Sequence, residues 1–427
     1  MTISVTAWRP FRWILVLGSL CLVGRAAHAQ QGAADLGTRV LQTPAVTAAL
    51  ERAPSLESWV LERQVALCEV PAPPFKERAR AEVYRKAFQD LGLGKVRIDE
   101  VGNVIGQRAG TSGGPHLVLS AHLDTVFPEG TNVRVDRRGG RFFGPGITDD
   151  CRGLAVLLGV ARALQEGSIT TPGPITFVGT VGEEGLGDLR GVKHLFGPGG
   201  VPGIDRFVSI DGSGLEITNV GVGSKRYRAT FKGPGGHSYG AFGMPNPLHA
   251  MGRAIAAIAA FEVPASPRTT FNVGRVGGGT SVNSIPYEAW MEVDLRSKDA
   301  LALADLDARF RAAVAAAIGA ENARWRHAAS VTVDMAVVGD RPAGRTSDTS
   351  DIVRAASSVL TALGLPVALE ASSTDANVAM ARGVPAITIG GGGRGADAHS
   401  LKESFDPVGG VDGLRQAILL AVALTHP

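Results

Sequence analysis

Apolar residues fall at helical spacing in SLESWVLERQVAL (55 to 67) and FKERARAEVYRKAFQDLG (75 to 92), two segments separated by the breaker PAPP. The weakly patterned stretch before them, from Gln30 to about Pro54, predicts a tether or a short helix. KVRIDEVGNVIGQRAG then takes strand character, and HLVLSAHLDTV at 116 to 126 is a nearly continuous apolar run that ends in polar residues. A run of that kind belongs in a sheet covered on both faces. A helix over GLAVLLGVARALQEG (153 to 167), a strand over ITFVGTV (175 to 181), a short helix near LRGVKHLF and a strand over DRFVSID (205 to 211) continue the alternation. Alternating strands and helices predict an α/β layer with functional loops at the strand ends.

The pattern changes at about residue 222. KRYRATFKG reads as a strand, PLHAMGRAIAAIAAF as a helix, TTFNVGRVGG and AWMEVDLRS as strands, ALADLDARFRAAVAAAIGA as a helix and SVTVDMAVVG as a last strand. Strand-helix-strand-strand-helix-strand is the split βαβ plan of a small ferredoxin-like α+β domain. The α/β alternation resumes after Asp340 with TSDIVRAASSVLTALG, DANVAMARG and PAITIGG. The expected architecture is therefore a catalytic α/β/α domain with a mixed sheet, formed by residues 30–221 and 340–427 and interrupted by an insert at 222–339. No internal repeat and no extended low-complexity segment is present.

Composition narrows the functional classes. With 427 residues, 44% hydrophobic and 19% charged, the chain can bury two cores. Its net charge of +3 is spread rather than clustered, which argues against a nucleic-acid groove or a membrane-surface patch. Arg9 and Arg12 precede the apolar run WILVLGSLCLVG, and Ala27-His28-Ala29 supplies a small-x-small cleavage pattern, so residues 1–29 read as a signal peptide and the mature chain as periplasmic or secreted, free of the membrane. Two cysteines then remain, Cys68 and Cys151, and spacing leaves open whether they pair or stay as free thiols.

The candidate chemistry sits at the predicted strand ends. Glu183 and Glu184 follow an apolar strand in a glycine-flanked loop, so their side chains should diverge, one toward a cation and one free to handle a proton. His122 and Asp124 end another strand as His-x-Asp, Asp149 and Asp150 sit in GPGITDD before the next helix, Asp211 ends the strand in SIDGSG, and His399 lies in GADAHSLKE. Singly each reads as a cap or a loop residue; together they place a metal-ligating group at every strand end on one edge. Carboxylate oxygen and imidazole nitrogen suit zinc and similar divalent cations.

At these residues the chain resembles the M20 family of metallopeptidases, which also holds related deacylases. LSAHLDTV, GPGITDD, VGEEG, SIDG, the GGHS of the insert and the closing AHS carry the resemblance, across most of the mature chain. It implies two divalent metal ions, most often Zn2+ with Co2+ or Mn2+ as alternatives, in which Asp149 bridges and His122, Glu184, Asp211 and His399 complete the shells. It further implies that Asp124 orients the His122 imidazole and that Glu183 is general base for the bridging water and then returns the proton to the leaving amine. In the insert, His237, Asn283 and Arg296 match positions that face the cleft in the family, where donors are needed for a carboxylate or an oxyanion. Dimeric relatives pair through this insert, which implies a lid and dimerisation domain, a homodimer, and a histidine that can reach the neighbour's site.

Two departures bear on substrate. Cys151 and Arg152 stand where the family often has Lys after the paired aspartates, and Asp211 replaces the Glu of carboxypeptidase-like and deacylase branches. The second resembles aminopeptidase-type branches and tilts the expectation toward short peptides with a free amino end. The leading reading is an exported peptidase of small peptides; the alternative is an N-acyl amino acid or carbamoyl amidohydrolase using the same ions. An inactive binding paralogue would have lost a ligand or the base, and His122, Asp149, Glu183, Glu184, Asp211 and His399 are all present.

Overall fold

The computed structural model describes residues 36–427, so the export signal assigned to residues 1–29 lies outside the described residues. Three helices open the described chain: α1 (Leu36–Leu41), α2 (Pro44–Cys68) and α3 (Arg78–Asp90). From Leu36 on, the stretch before residue 55, read as a tether or a short helix, is helical: it forms α1 and the first part of α2, which continues through Pro54. Proline removes the N–H that would bond the carbonyl four residues back, and here Arg415 Nε donates to the Leu50 carbonyl at 3.2 Å in its place. Burial of Val46, Ala49, Leu50, Ala53 and Val60 on one face of α2 holds the helix together across that position.

The large sheet begins with β1 (Gly94–Ile98), β2 (Val104–Arg108), β3 (Leu117–His122), β4 (Ile175–Thr180), β5 (Arg206–Ile210) and β6 (Ile217–Gly221). β1 and β2 divide a segment that reads as one strand, because Asp99 Oδ1 accepts the N–H groups of Val101, Gly102 and Asn103 and closes a tight turn. The insert follows with β7 (Gly223–Lys232), α6 (Pro247–Ala259), β8 (Thr269–Gly278), β9 (Glu288–Ser297), α7 (Ala300–Trp325) and β10 (Thr332–Arg341), α4 (Cys151–Glu166) and α5 (Arg190–Leu195) having come before it. β11 (Gly344–Arg345), α8 (Asp351–Ala362), β12 (Leu369–Ser372), α9 (Ala376–Ala381), β13 (Ala386–Ile389) and α10 (Gly410–Ala423) complete the chain.

The large sheet is mixed, in the order β1-β2-β4-β3-β5-β13-β6-β11 with β12 beside β6. Its centre, β4-β3-β5-β13, is parallel. Every residue of β3 and β4 is buried, as their apolar runs require. Parallel strands end on the same edge, so the residues that follow β3, β4, β5 and β13 are delivered to one place. The four long strands of the insert form a separate antiparallel sheet, β8-β9-β7-β10. One face packs under α6 and α7 through Tyr227, Phe231, Met291, Leu295 and Phe310, while Arg226, Arg228, Glu292, Asp294 and Arg296 occupy half-buried positions between those core residues.

A third small sheet joins residues Arg394–Ala396, Ser404–Asp406, Arg141–Phe143 and Asp136–Arg138. Strands of three residues carry too little alternation to be read from sequence. Their effect is to bring the loop of His399 against the loop of Asp149. Among the described residues no helix is long and apolar enough to cross a membrane.

Candidate metal centre and cleft

Asp149 offers one oxygen to each of two histidines. Its Oδ1 lies 2.9 Å from His122 Nε2 and its Oδ2 lies 3.0 Å from His399 Nε2. Asp211 Oδ1 stands 3.8 Å from His122 Nε2, and Glu184 Oε1 stands 3.0 Å from His399 Nε2. The five residues thus divide into two groups that share Asp149: His122 with Asp211, and His399 with Glu184. Ligand atoms around a tetrahedral ion held at about 2.0–2.1 Å are themselves roughly 3.3 Å apart, so separations of 2.9 to 3.8 Å fit a divalent cation in each group. Ligand atoms of His122, Asp149 and Glu184 also lie within 4.8 Å of one another, as do those of His122, Asp150 and Asp211.

The neighbouring aspartates serve the backbone. Asp150 caps α4: its Oδ1 accepts the Gly153 and Gly212 N–H groups at 3.0 and 3.1 Å, and its Oδ2 accepts the His122 N–H at 2.9 Å. One side chain therefore ties together the end of β3, the start of α4 and the loop after β5. Asp124 does the same for the paired glutamates, accepting the N–H groups of Glu183 and Glu184 at 3.1 and 2.8 Å. Its carbonyl oxygen lies 3.1 Å from His122 Nδ1, nearer than its carboxylate at 3.7 Å, and a proton on Nδ1 donated to that carbonyl leaves Nε2 free as a ligand.

Crowding of carboxylates sets the electrostatics. Burial, assisted by Asp149, Glu184 and Asp375, pushes the Asp211 carboxyl up to about 7 against the pull of His122. Burial likewise holds Glu183 well above the ordinary carboxyl range, although Arg341 and His122 oppose it. His399, hydrogen-bonded to Asp149 and Glu184, is raised to about 10. Burial alone would lower His122, but Asp124 and Asp149 overcome it and hold the imidazole well above its usual value. Protons are held here because buried carboxylates outnumber the cations that face them. Against burial, His122 and His399 hold Asp149 below its usual range, while burial keeps Asp211 and Glu183 above theirs, and a divalent ion in each group would neutralise the same charge.

The cluster forms one wall of a cleft of about 490 Å³, and the insert forms the other with Arg226, Asp294, Arg296 and Arg341. Arg341, at the end of β10, was not singled out in the sequence; its Nη1 donates to Glu183 Oε1 at 3.1 Å and its Nη2 to the Glu183 carbonyl. Asp294 receives Arg226 Nε at 3.1 Å and Arg296 Nε at 2.6 Å, so one carboxylate gathers two guanidinium groups. Arg226 also reaches the Gly185 carbonyl at 2.7 Å, touching the loop of the paired glutamates. Burial, with Arg341 and Arg296 beside it, lowers the Arg226 pKa.

Of the insert residues singled out in the sequence, Arg296 reaches this cleft. His237 and Asn283 lie elsewhere, in and beside the small two-stranded ribbon that pairs Gly236–His237 with Ser284–Ile285, where both are exposed. The cysteines, whose state the spacing left open, are joined as a disulfide between the end of α2 and the start of α4, with Cα atoms 5.5 Å apart. Arg152, in place of the family's frequent Lys, is wholly buried and donates to Glu57, Gly391 and Gly410.

The family model of peptidase family M20/M25/M40 matches residues 118–425. Among curated proteins, the uncharacterized protein YqjE of Bacillus subtilis (strain 168) is 26% identical over 349 residues, 78% of this chain and 90% of that one. Among solved structures, aminopeptidase PepT from Bacillus cereus ATCC 10987 is 23% identical, covers 86% of this chain and 98% of its own, and superposes with a TM-score of 0.68. The Bacillus subtilis protein YXEP, described as a dinuclear metal binding peptidase, is 17% identical, covers 87% of this chain and 99% of its own, and has a TM-score of 0.66. At these identities the two structures establish the fold.

Proposed function

Because the chain belongs to peptidase family M20/M25/M40 and is a metal-dependent hydrolase of it, we infer that it is an exported amidohydrolase of short peptides with Glu183 as general base. The observation that carries this reading is the sharing of Asp149 between His122 and His399. His122, Asp149 and Asp211 would hold one ion; Asp149, Glu184 and His399 would hold the other. When bound, the pair supplies Lewis acidity that polarises an amide carbonyl and acidifies water.

The residues then divide the proton work. Glu183 lines the cleft beside this cluster and is anchored by Arg341, so one of its oxygens can take the proton of the attacking water as the water oxygen bonds to the amide carbon. When the C–N bond breaks, the same carboxyl returns that proton to the departing nitrogen. An elevated pKa favours the return step.

The arginines support a substrate with a free carboxylate. Among the described residues lining the cleft outside the metal cluster, Asp294 is engaged by two arginines and Glu183 by a third, which leaves no uncommitted carboxylate for a substrate ammonium. Arg296 engages Asp294 through Nε, so its outer nitrogens can fork onto a carboxylate. This shifts the weight from a free amino end, suggested by Asp211, to a free carboxyl end, and an N-acyl amino acid would satisfy the same donors. The exposure of His237 and Asn283 supports a homodimer in which the insert carries them toward the partner's cleft. The disulfide supports an oxidising compartment such as the periplasm.

The test is hydrolysis of dipeptides, tripeptides, their C-terminal amides and N-acyl amino acids, before and after chelation and after return of zinc, cobalt or manganese. Loss on chelation with recovery on addition is expected. Full activity in protein shown metal-free by elemental analysis would overturn the reading.

A further inference from the structure

Glu403 is a buried carboxylate with no part in the scheme above. It lies four residues beyond His399 and is fully shielded from solvent. Its Oε1 accepts the N–H groups of Thr148 and Asp149 at 2.9 and 3.0 Å, and its Oε2 accepts that of Gly146 at 2.9 Å. Its own carbonyl accepts the Gly144 N–H at 3.0 Å, and Thr148 Oγ1 donates to the Ser404 carbonyl at 3.3 Å. The loop that ends in Asp149 is therefore folded over a single side chain that belongs to the loop of His399. No other residue described here joins those two ligand loops by so many bonds.

We propose that Glu403 is a positioning residue that sets the separation of Asp149 and His399, and with it the metal position formed by Asp149, Glu184 and His399. Three N–H donors converge on two oxygens, an arrangement that only an ionised carboxylate satisfies fully. A glutamine of the same shape would turn an NH2 group toward one of those donors. The loop must then shift at Asp149, whose Oδ2 faces His399. The other position shares Asp149 through Oδ1, but its remaining ligands, His122 and Asp211, sit on a strand end and a loop held by Asp150 and Asp124, so it should feel less of that shift. The proposal rests on the two-ion reading above, and the test separates the two.

Chelator-stripped protein is titrated with cobalt(II), following visible absorption and calorimetry, for the parent, Glu403→Gln and Glu403→Asp. The parent should bind two equivalents; if it does not, the two-ion reading itself fails. Glu403→Gln should keep one site near parent affinity and weaken the other by about 10- to 100-fold, the range for groups that orient metal ligands, with an altered cobalt spectrum. Glu403→Asp keeps the charge but withdraws the oxygens, so its weaker site should also be the one affected. Parent affinities and spectra in both variants would overturn the proposal. So would an equal loss at both sites accompanied by a fall in the melting temperature of the metal-free protein, or failure of both variants to fold, since Glu403 would then be a strut of the core.

Discussion

On the sheet-edge wall of the cleft, Asp124 receives two backbone N–H groups and Asp150 and Glu403 three each. On the insert wall, Asp294 is gripped instead by the side chains of Arg226 and Arg296. The first wall is held by N–H groups of the loops themselves; the second is held by contacts between long side chains on a strand face. The walls also differ in charge. Acids crowd the first until Asp211 is pushed up to about 7 by burial and its neighbours, whereas guanidinium groups crowd the second. One wall carries acids and the other guanidinium groups, the pairing that the proposed hydrolysis of a substrate ending in a carboxylate would use.

The largest expected effect separates proton transfer from ligation on the first wall. Glu183→Gln keeps shape and charge-independent contacts but cannot accept a proton, so turnover should fall by roughly two to four orders of magnitude while both ions stay bound. Glu184→Gln should lower metal content together with rate. Metal analysis and turnover on the same two purified variants decide the assignment; loss of metal in the first and retention in the second would reverse the roles.

A second variant asks how far the first wall depends on what lies behind it. Arg152 Nη1 meets Glu57 at 2.8 Å in a buried pair at the first turn of the helix that Asp150 caps. Removing one partner leaves the other charged and buried, and Arg152→Ala should cost about 3–5 kcal/mol by urea unfolding. Glu57→Gln leaves the guanidinium its two carbonyl acceptors and should cost less. Equal stability of Arg152→Ala and the parent would show that the pair does not support the wall.

The insert wall is tested by substrate rather than by stability. Arg296→Ala should reduce kcat/KM about 10- to 100-fold for free-carboxylate peptides, the value of a charge-assisted hydrogen bond, and leave C-terminal amides nearly unchanged. Arg226→Ala should show the same selectivity with a smaller loss, because one of its nitrogens is committed to Gly185. A loss of equal size on free and amidated substrates would remove the carboxylate from this wall.

The walls were unequally legible in the sequence. His122, Asp149, Glu184, Asp211 and His399 stand out because a polar residue at the end of an apolar strand is a signal of position as well as type. The support they receive from Asp150 and Glu403 was hidden, since accepting N–H groups from a folded loop has no fixed spacing. Arg226 and Asp294 are direct cross-strand partners, and without the register they read as surface residues of an alternating strand. Arg341 was hidden for the same reason, and the helix through Pro54 because its repair comes from Arg415, far along the chain.

The smallest effect concerns a carboxylate beneath the first wall. Asp375 is buried; its Oδ2 accepts the Thr180 hydroxyl at 2.5 Å while its Oδ1 has no hydrogen-bond partner. Burial raises its pKa from 3.8 to about 6, with Thr180 and His122 opposing. Below about pH 3.8 the folded and unfolded forms are both protonated, and the stability linked to this group is fully present. As pH rises, the unfolded chain releases its proton first, so stability is lost progressively until the folded group ionises near pH 6. The total is about 1–3 kcal/mol. Asp375→Asn keeps an acceptor for Thr180 and removes the titration. Its unpaired amide adds a cost that does not vary with pH, so the informative quantity is the slope. With chelator present throughout, so that no cation replaces the proton, the unfolding free energy of Asp375→Asn relative to the parent should rise between pH 4 and pH 6.5 and then level. A flat difference over that range would mean that Asp375 carries no strained charge, and that crowding of acids on this wall stops at the residues facing the cleft.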